Sequence, residues 1–450
     1  MIAETIIAIA TPRGEGGLGI VRLSGQGAVN IGRELFFSRP PLGSKPRYIH
    51  YGTLMDGKRE LDQGLAWFLK SPRSFTGEDT VEISAHGSNA VLESVLHGAI
   101  AQGAVLAAPG EFTRRAFLNG RLDLAQAEAV VEIIRAGSRS TLADAYSLAC
   151  GQLSALVDEL KQILLSCISN LELGLDFPEE DNDEAGYNMI KPLLQQVLRK
   201  GESLIETFEG ARRRQEGFAV CLLGRPNAGK STLLNCLLGE DRAIVSNQPG
   251  TTRDVIEGRT LWCGESIRLI DTAGFHDTAH SVERMGVERA RRTVAEADLA
   301  LVVIDSCDAW STAHAEMLAM VDGKPAVWVL NKSDLEGSAD NLPQAIQAPK
   351  VRVSALLGEG MVELRNAAMG QLSSPRRPEG VAILRERHHD CLQTMVNSVS
   401  AAIRMIARHE LAECIVVELH SGISSLAEIL GEEVDEQVLD RIFAEFCIGK

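Results

Sequence analysis

The segment Gly224-Arg225-Pro226-Asn227-Ala228-Gly229-Lys230-Ser231 is a complete phosphate-binding loop of the form G-x-x-x-x-G-K-[ST]. An apolar run at 218–223 precedes it and a helix-forming stretch at 232–235 follows, so the order is strand, glycine-rich turn and helix. In such a loop the backbone N–H groups converge on the phosphates, Lys230 reaches the β- and γ-phosphates, and Ser231 binds Mg²⁺. The stretch therefore predicts a P-loop nucleotide-binding domain of the α/β class.

Two further motifs follow the phosphate loop, each directly after an apolar run. Asp271-Thr272-Ala273-Gly274 follows 267–270, and Asn331-Lys332-Ser333-Asp334 follows 326–330. The order phosphate loop, D-x-x-G and N-K-x-D resembles that of the GTPase branch of P-loop proteins, with a Ras-like domain. By that resemblance Asp334 accepts two hydrogen bonds from the guanine edge and selects GTP over ATP, while Asn331 and Lys332 shape the base pocket.

Ser354-Ala355-Leu356 resembles the last guanine-contacting loop and follows a short predicted strand at 351–353, although this tripeptide alone is common. The stretch 249–254 (PGTTRD) is interpreted as the first switch loop, in which Thr252 is the expected second Mg²⁺ ligand. Asp271 would hold Mg²⁺ through water, and the Gly274 amide would meet the γ-phosphate. The full set of predicted GTP-binding residues is Asn227, Ala228, Gly229, Lys230, Ser231, Thr232, Ser246, Asn247, Gln248, Pro249, Gly250, Thr251, Thr252, Asp271, Thr272, Ala273, Gly274, Asn331, Lys332, Asp334, Ser354, Ala355 and Leu356.

Phe275 stands where many small GTPases place a Gln that orients the attacking water. Asn227 and the switch sequence resemble a subset of GTPases in which K⁺ replaces an arginine finger and two G domains face each other. Oxygen atoms for K⁺ are expected from Asn227, Ser246, Gln248 and Thr251. Glu283 is then the candidate for ordering the catalytic water, although by itself it would be interpreted as a solvated helix charge.

The composition bounds the remaining possibilities. The chain has 450 residues, enough for about three domains, and no apolar run reaches the roughly 18 residues that span a bilayer. Nine scattered cysteines without a CxxC pair favour reduced thiols in a cytoplasmic protein and argue against zinc. A formal net charge of −16 disfavours unaided, nonspecific binding to nucleic acid.

The chain outside the GTPase motifs predicts two further domains. Short β-rich and helical stretches alternate up to about residue 118, as in an α+β domain, whereas helical apolar spacing dominates from about 122 and again after the motifs. We therefore expect a GTPase domain inserted into a helical domain. The expected boundaries are 1–119 for the α+β domain, 120–215 and 374–450 for the helical domain, and 216–373 for the GTPase domain.

The carboxyl-terminal Phe446-Cys447-Ile448-Gly449-Lys450 is the second distinctive stretch, and its final Lys excludes an ordinary prenylation box. With the central motifs and the stretches at 74–79 (SFTGED), 109–119 (PGEFTRRAFLN) and 122–129 (LDLAQAEA), it resembles the tRNA-modification GTPase family called MnmE or TrmE. The resemblance covers essentially the whole chain, in order.

The family resemblance implies a specific chemistry. The N-terminal domain would form a constitutive homodimer and bind a one-carbon tetrahydrofolate, in a 5-formyl or methylene form, through Arg22, Glu82 and Arg121, with Lys450 closing the pocket. With a flavoprotein partner, MnmG, the family adds an aminomethyl or carboxymethylaminomethyl group to C5 of the wobble uridine of certain tRNAs. Cys447 is the expected catalytic thiol of that chemistry, and tRNA contact is expected largely through the partner.

Two other functions compete with this interpretation. A ribosome-assembly GTPase would share the central motifs, but it would carry a KH-type G-x-x-G module or a second G domain, and nothing equivalent follows residue 370. A folate-binding scaffold with a vestigial GTPase is disfavoured because Lys230, Ser231, Thr252 and Asp271 are all intact.

Overall fold

The computed structural model describes the backbone of residues 4–176, 183–239, 257–271, 282–335, 342–343, 346–372 and 380–450. Side chains at 174–176, 183–186, 257, 282–287 and 289 lie outside the description. The chain divides into two compact units. The first comprises 1–131, 147–201 and 390–450, and the second comprises 132–146 and 202–389. The predicted domain boundaries at 119, 215 and 373 stay predictions.

The N-terminal part of the first unit is an α+β fold around a seven-stranded sheet, in the order β3-β4-β5-β6-β2-β1-β7. Neighbouring strands are antiparallel except β1 and β7, which are parallel. The apolar side chains of the sheet pack against the helices at 28–35 and 89–101, so the core lies between sheet and helices. The elements are β1 Ile6–Ile9, β2 Gly16–Ser24, α1 Ala28–Leu35, β3 Phe36–Ser38, β4 Ile49–Asp56, β5 Arg59–Leu69, β6 Thr80–Gly87, α2 Asn89–Ala101, β7 Val105–Leu106 and α3 Glu111–Leu118.

The helical apolar spacing at 90–100 predicts a helix, confirmed as α2, and the alternation at 80–84 predicts a strand, confirmed as the start of β6. The glycine-rich sequence at 14–17 predicts a turn, and this prediction is wrong at its end, because β2 begins at Gly16 and pairs there with Gly87. A Cβ atom at Gly87 would lie 2.6 Å from the carbonyl oxygen of Gly16, so this close strand contact needs a glycine.

Four helices follow, and the apolar spacing predicted from residue 153 onward is confirmed in the third of them. These helices are α4 Leu124–Arg135, α5 Arg139–Ala149, α6 Gln152–Asp176 and α7 Asp183–Glu216. Leu153, Val157, Leu160 and Leu164 are all fully buried on one face of α6. That 3–4 residue spacing is what places them on a single stripe.

The second unit contains a six-stranded sheet in the order β13-β12-β11-β8-β10-β9, parallel except for the β9–β10 pair. Its central strands are continuous apolar runs that are buried on both faces, as parallel sheets covered by helices require. The elements are β8 Phe218–Gly224, α8 Lys230–Gly239, β9 Glu257–Trp262, β10 Glu265–Asp271, α9 Val282–Glu296, β11 Leu299–Asp305, α10 Thr312–Met320, β12 Ala326–Asn331, β13 Lys350–Arg352 and α11 Met361–Gln371.

The carboxyl-terminal helices are α12 Glu386–Ala407, α13 Ala412–Leu430 and α14 Glu436–Ala444. Apolar residues at helical spacing from Leu384 onward predict a helix, and this is confirmed by α12, although Leu384 itself precedes the helix. No helix within the described ranges is long and apolar enough to cross a membrane.

Helix α14 packs onto α3 within the first unit. Phe443 and Phe446 are buried in one apolar cluster with Leu124, and their rings lie 5.3 Å apart. Gly110, with φ of +68°, caps the start of α3, and a Cβ atom there would lie 2.5 Å from the Phe443 carbonyl oxygen. This packing carries the last residues of the chain back to the N-terminal sheet.

Candidate functional site

The candidate nucleotide site lies at one edge of the second unit's sheet. Four parallel strands end there, at Gly224, Asp271, Asp305 and Asn331. Ligands in open α/β sheets bind outside the carboxyl ends of the strands, so three motifs that are distant in sequence meet at a single edge. This topology brings the phosphate loop, Asp271 and Asn331 to the same edge of the sheet, and their roles in GTP binding stay predictions.

The phosphate loop connects β8 to the N-terminus of α8 through a turn that needs small residues. Gly229 has a φ of +89°, and a Cβ atom there would collide with the Asn331 amide nitrogen. Asn227 adopts a φ of +65°, which Asn tolerates better than most residues. The first backbone N–H groups of α8 have no partner within the helix, so they can serve as donors to an anion.

Lys230 is buried at the start of α8 and lies under the loop. Its Nζ atom donates hydrogen bonds to the carbonyl oxygens of Gly224 and Arg225, both at 2.8 Å. Burial lowers the pKa of Lys230 and outweighs the opposing effect of the Asp271 carboxylate. The ammonium is thus held in place by the loop, and bound phosphates would stabilise its charge.

The oxygen atoms available near the loop fit Mg²⁺. Ser231 is exposed at the start of α8, and Asp271 is buried at the end of β10. A hydroxyl and a carboxylate are hard oxygen donors, the class that Mg²⁺ takes together with phosphate oxygens and waters. In the parts of the chain that the structure covers, no cluster of three or more His, Cys, Asp or Glu side chains forms a self-sufficient metal site.

Asn331 joins the phosphate loop to the last predicted guanine loop. Its Nδ2 atom donates to the Ala228 carbonyl oxygen at 2.9 Å, and its Oδ1 atom accepts from the Ala355 N–H at 3.0 Å. Ser354 is buried and its Oγ atom accepts from the Leu357 N–H at 3.2 Å, which closes that loop. Asn331 therefore acts as a bridge between loops, while the exposed Asp334 remains accessible to a base.

The remaining predicted residues are exposed or lie partly or wholly outside the described residues. Thr232 is exposed in the first turn of α8, and Leu356 is exposed beyond Ala355. The backbone of Glu283 lies in the first turn of α9, but its side chain is outside the description. The predicted residues outside the described ranges are Ser246, Asn247, Gln248, Pro249, Gly250, Thr251, Thr252, Thr272, Ala273 and Gly274.

A second candidate site lies in the first unit, where the chain's end meets strand β2. Arg22 and Glu82 are directly opposite each other on β2 and β6, and Arg22 Nε donates to Glu82 Oε1 at 2.6 Å. Arg22 Nη1 also donates to the Gly449 carbonyl oxygen at 3.1 Å. The guanidinium lies 5.6 Å from the centre of the Phe112 ring. We call the group formed by Arg22, Glu82, Gly449 and Lys450 the tail pocket.

Lys450 and Cys447 occupy different environments at the tail pocket. Burial and the positive charge of Arg22 lower the pKa of Lys450, while Glu82 and Cys447 oppose that shift. Cys447 is exposed, and its carbonyl oxygen accepts from the Lys450 N–H at 3.3 Å. A turn over the last four residues thus positions the terminal Lys inward and leaves the thiol accessible.

Arg121 is placed differently from the other predicted folate ligands. Its side chain is exposed and packs beside Gly77, in the loop that leads into β6. Within the described ranges it forms no ion pair with Glu82. The structure therefore brings together Arg22, Glu82 and Lys450, and Arg121 stays a predicted folate ligand.

Sequence reasoning missed Gly449 and Asp305. Gly449 adopts a φ of +94°, and a Cβ atom there would lie 2.6 Å from the Ile9 carbonyl oxygen. No local pattern signals that contact, because it depends on the fold. Asp305 ends β11 directly after the apolar run 299–304, so the rule that located Asp271 could also have located it.

Comparison with known proteins gives matches over the whole chain. The family model described as "GTP-binding protein TrmE N-terminus" matches residues 5–121, and the model described as "MnmE helical domain" matches 124–447. Relatives named "tRNA modification GTPase MnmE" come from Heliobacterium modesticaldum (40% identical over 468 residues), Moorella thermoacetica (41% over 466) and Bacillus subtilis (38% over 460). The alignments cover 99–100% of this chain and 100% of each relative.

Proposed function

Because this chain belongs to the family of tRNA modification GTPases called MnmE or TrmE, it is a GTP hydrolase that acts in tRNA modification, and we propose how its two sites divide that work. The nucleotide site would use GTP to drive conformation. The tail pocket would carry the one-carbon chemistry at the wobble uridine.

At the nucleotide site, Lys230 and the N–H groups at the start of α8 would bind the phosphates. Ser231 and Asp271 would hold Mg²⁺, Asp271 through water, and Thr252 would complete that set when the first switch loop closes. When bound, Mg²⁺ neutralises developing charge on the phosphates. Asp334 would accept hydrogen bonds from the guanine edge. Asn331, through its hydrogen bonds to Ala228 and Ala355, would hold the phosphate loop and the Ala355 loop in place around the nucleotide.

The hydrolysis step would depend on K⁺ rather than on an arginine finger. Asn227 is exposed in the phosphate loop, where its side-chain oxygen is available, and Ser246, Gln248 and Thr251 would supply the remaining oxygens. Glu283, in the first turn of α9, would order the attacking water. GTP hydrolysis should be faster in KCl than in NaCl at matched ionic strength, at protein concentrations that permit two G domains to meet. Equal rates in the two salts would remove this part of the proposal.

The tail pocket would bind a one-carbon tetrahydrofolate, and the contact of Arg22 with both Glu82 and the Gly449 carbonyl is the observation that carries this proposal. A half-buried Arg and a half-buried Lys suit the carbonyl and carboxylate oxygens of a folate. Glu82 offers acceptors for the N–H groups of a pterin ring. Arg121, exposed beside Gly77, would have to turn toward the ligand to join this set. The exposed thiol of Cys447 would act in the modification chemistry that the bound one-carbon unit supplies.

The proposal includes partners. The N-terminal unit would form a homodimer, and the flavoprotein MnmG would join it in a heterotetramer and supply most of the tRNA contact. The formal charge of −16 supports that assignment, because tRNA binding depends on basic surface. The complex would work in the cytoplasm, on C5 of the wobble uridine in a subset of tRNAs.

Mass spectrometry of tRNA nucleosides tests the proposed reaction. A strain lacking this chain should lose aminomethyl and carboxymethylaminomethyl uridines, and expression of the chain should restore them. A deletion strain with normal levels of both nucleosides would contradict the proposed reaction without affecting the GTPase assignment.

A further inference from the structure

The end of strand β11 lies beside the N-K-x-D motif at the end of β12. The parallel register pairs Asp305 with Asn331, so Asp305 and Ser306 stand next to Lys332. None of the motifs that identify the nucleotide site includes these two residues. Their side chains both contact Lys332, Asp305 at its Nζ atom and Ser306 at its carbonyl oxygen.

The backbone of Lys332 is held in an unfavourable conformation. Lys332 has a φ of +63°, in the left-handed region that a non-glycine residue adopts at a cost of about 1 kcal/mol or more. Ser306 Oγ donates to the Lys332 carbonyl oxygen at 3.1 Å, and the Ser306 N–H donates to the Asn331 carbonyl oxygen at 2.9 Å. These two hydrogen bonds stabilise the turn that presents Asp334.

The side chain of Lys332 is fixed from the same strand end. Lys332 Nζ donates to Asp305 Oδ2 at 2.6 Å, and Asp305 Oδ1 accepts from the Cys307 N–H at 3.0 Å. Burial opposes ionisation of Asp305, but the hydrogen bonds from Lys332 and Cys307 outweigh it and leave the pKa of Asp305 lowered. The Asp305 side chain is only 17% exposed, so this pair is better shielded than an ordinary surface ion pair.

We propose that Asp305 and Ser306 are positioning residues for guanine recognition. They hold the backbone of Lys332 in its left-handed turn and its side chain extended toward β11. The aliphatic part of Lys332 then forms a preorganised wall for the base, and Asp334 is presented in a fixed orientation. Preorganisation reduces the entropy lost when the nucleotide binds, so its loss should weaken affinity rather than change the hydrolysis step. The inference rests on the guanine site proposed above.

The test measures binding of fluorescent mant-GDP and mant-GTP to the full-length chain. Asp305→Asn keeps the acceptor for the Cys307 N–H but removes the charged partner of Lys332. A charge-assisted hydrogen bond corresponds to roughly a tenfold change in an equilibrium constant, so the Kd for both nucleotides should rise about tenfold. KM for GTP should rise in parallel, while kcat changes less. Asp322→Asn, an equal charge change in the exposed turn before β12, should bind like the wild type.

A double-mutant cycle distinguishes positioning from general destabilisation. Lys332→Met keeps the length of the stem and removes its charge, so it should weaken binding about as much as Asp305→Asn does, and the double variant should bind no more weakly than Lys332→Met alone. Wild-type nucleotide affinity in Asp305→Asn would overturn the proposal. So would a double variant whose rise in Kd equals the product of the rises in the two single variants. If Asp305→Asn does not fold, the Lys332→Met variant provides the test. Wild-type nucleotide affinity in Lys332→Met would also overturn the proposal.

A separate variant tests the guanine site on which this inference rests. Asp334→Asn should change the preferred nucleotide from GTP to XTP, because Asn can donate to the extra carbonyl of xanthine. Asp305→Asn should weaken GTP binding while keeping the preference for GTP. An Asp334→Asn variant with unchanged preference would reject the guanine site itself, whatever Asp305→Asn does.

Discussion

The nucleotide site and the tail pocket are assembled in opposite ways. The phosphate loop and the motifs at Asp271, Asn331 and Ser354 lie at or just after the ends of parallel strands of one sheet, between Gly224 and Leu356. The tail pocket instead joins Arg22 to Gly449, which are 427 positions apart, and it exists only because α14 packs on α3. The first site is built by local connections at a sheet edge, whereas the second depends on a long-range docking of the chain's end.

The largest effect is expected from a substitution in the nucleotide site that lowers GTP hydrolysis and leaves folate binding at the tail pocket unchanged. Lys230→Ala removes the ammonium that the phosphate loop holds through the Gly224 and Arg225 carbonyl oxygens. GTP hydrolysis should fall on the order of 10²- to 10³-fold, the usual effect of losing a preorganised donor to developing charge. Affinity for 5-formyltetrahydrofolate, measured by calorimetry, should stay unchanged. Lys58→Ala, in the exposed β4–β5 turn, is the matched control and should alter neither measurement.

The comparison would break if Lys230→Ala also abolished folate binding. That result would mean that the tail pocket requires an intact nucleotide site. The division of labour between the two sites would then be wrong.

A smaller effect, on folate binding, is expected from replacing a glycine that only the tail pocket needs. Gly449→Ala places a Cβ atom 2.6 Å from the Ile9 carbonyl oxygen at a φ of +94°. Gly103→Ala carries almost the same φ, +95°, with no atom within 4 Å, so both variants share the backbone strain of about 1–2 kcal/mol. Only Gly449→Ala should undock the tail and weaken folate binding, by about tenfold if one charged contact is lost.

Calorimetric titration of both glycine variants with 5-formyltetrahydrofolate checks this difference. Equal affinities would show that the docked tail contributes nothing to the pocket. GTP hydrolysis serves as the internal reference and should be the same in both variants.

The smallest expected effect is a shared dependence on pH. Burial lowers the pKa of Lys230 below its ordinary 10.5, and burial together with Arg22 lowers that of Lys450. A bound anion would raise both values again, so binding takes up a proton and affinity falls as pH rises through the lowered pKa. The fall is at most about tenfold per pH unit for one proton. Lys230→Arg and Lys450→Arg should remove the dependence at their own site only, because Arg stays charged.

Titration of mant-GDP and of 5-formyltetrahydrofolate between pH 7.5 and 10 measures these dependences. A nucleotide affinity that is flat across the range in the wild type would contradict the role given to Lys230. A dependence that persists in Lys450→Arg would assign the folate effect to another group.

The sequence predicts that the nucleotide-site motifs lie at one sheet edge for a physical reason. The strands that end at Gly224 and Asn331 are continuous apolar runs, the strand that ends at Asp271 buries apolar residues at 267, 269 and 270, and the carboxyl ends of parallel strands meet at one edge. Asp305 obeys the same rule but belongs to no recognised motif, so its contact with Lys332 became visible only in the structure.

The N-terminal unit is harder to predict from its sequence. Strands β4 and β5 contain many polar and exposed residues, because much of that pair faces solvent, and their pairing appears only in the fold. The tail pocket was predicted by family resemblance rather than by any local pattern. That prediction grouped Arg121 with Arg22, whereas the structure places Arg121 beside Gly77.

The central claim is that GTP hydrolysis and the modification chemistry reside in separate sites, and Cys447→Ser tests it most directly. The substitution changes one exposed atom beyond the buried Phe446, so folding and GTP hydrolysis should be retained. The modified wobble uridines should disappear from cellular tRNA when this variant replaces the wild type, as measured by mass spectrometry of tRNA nucleosides. Normal levels of these nucleosides, or a parallel loss of GTP hydrolysis, would contradict the account.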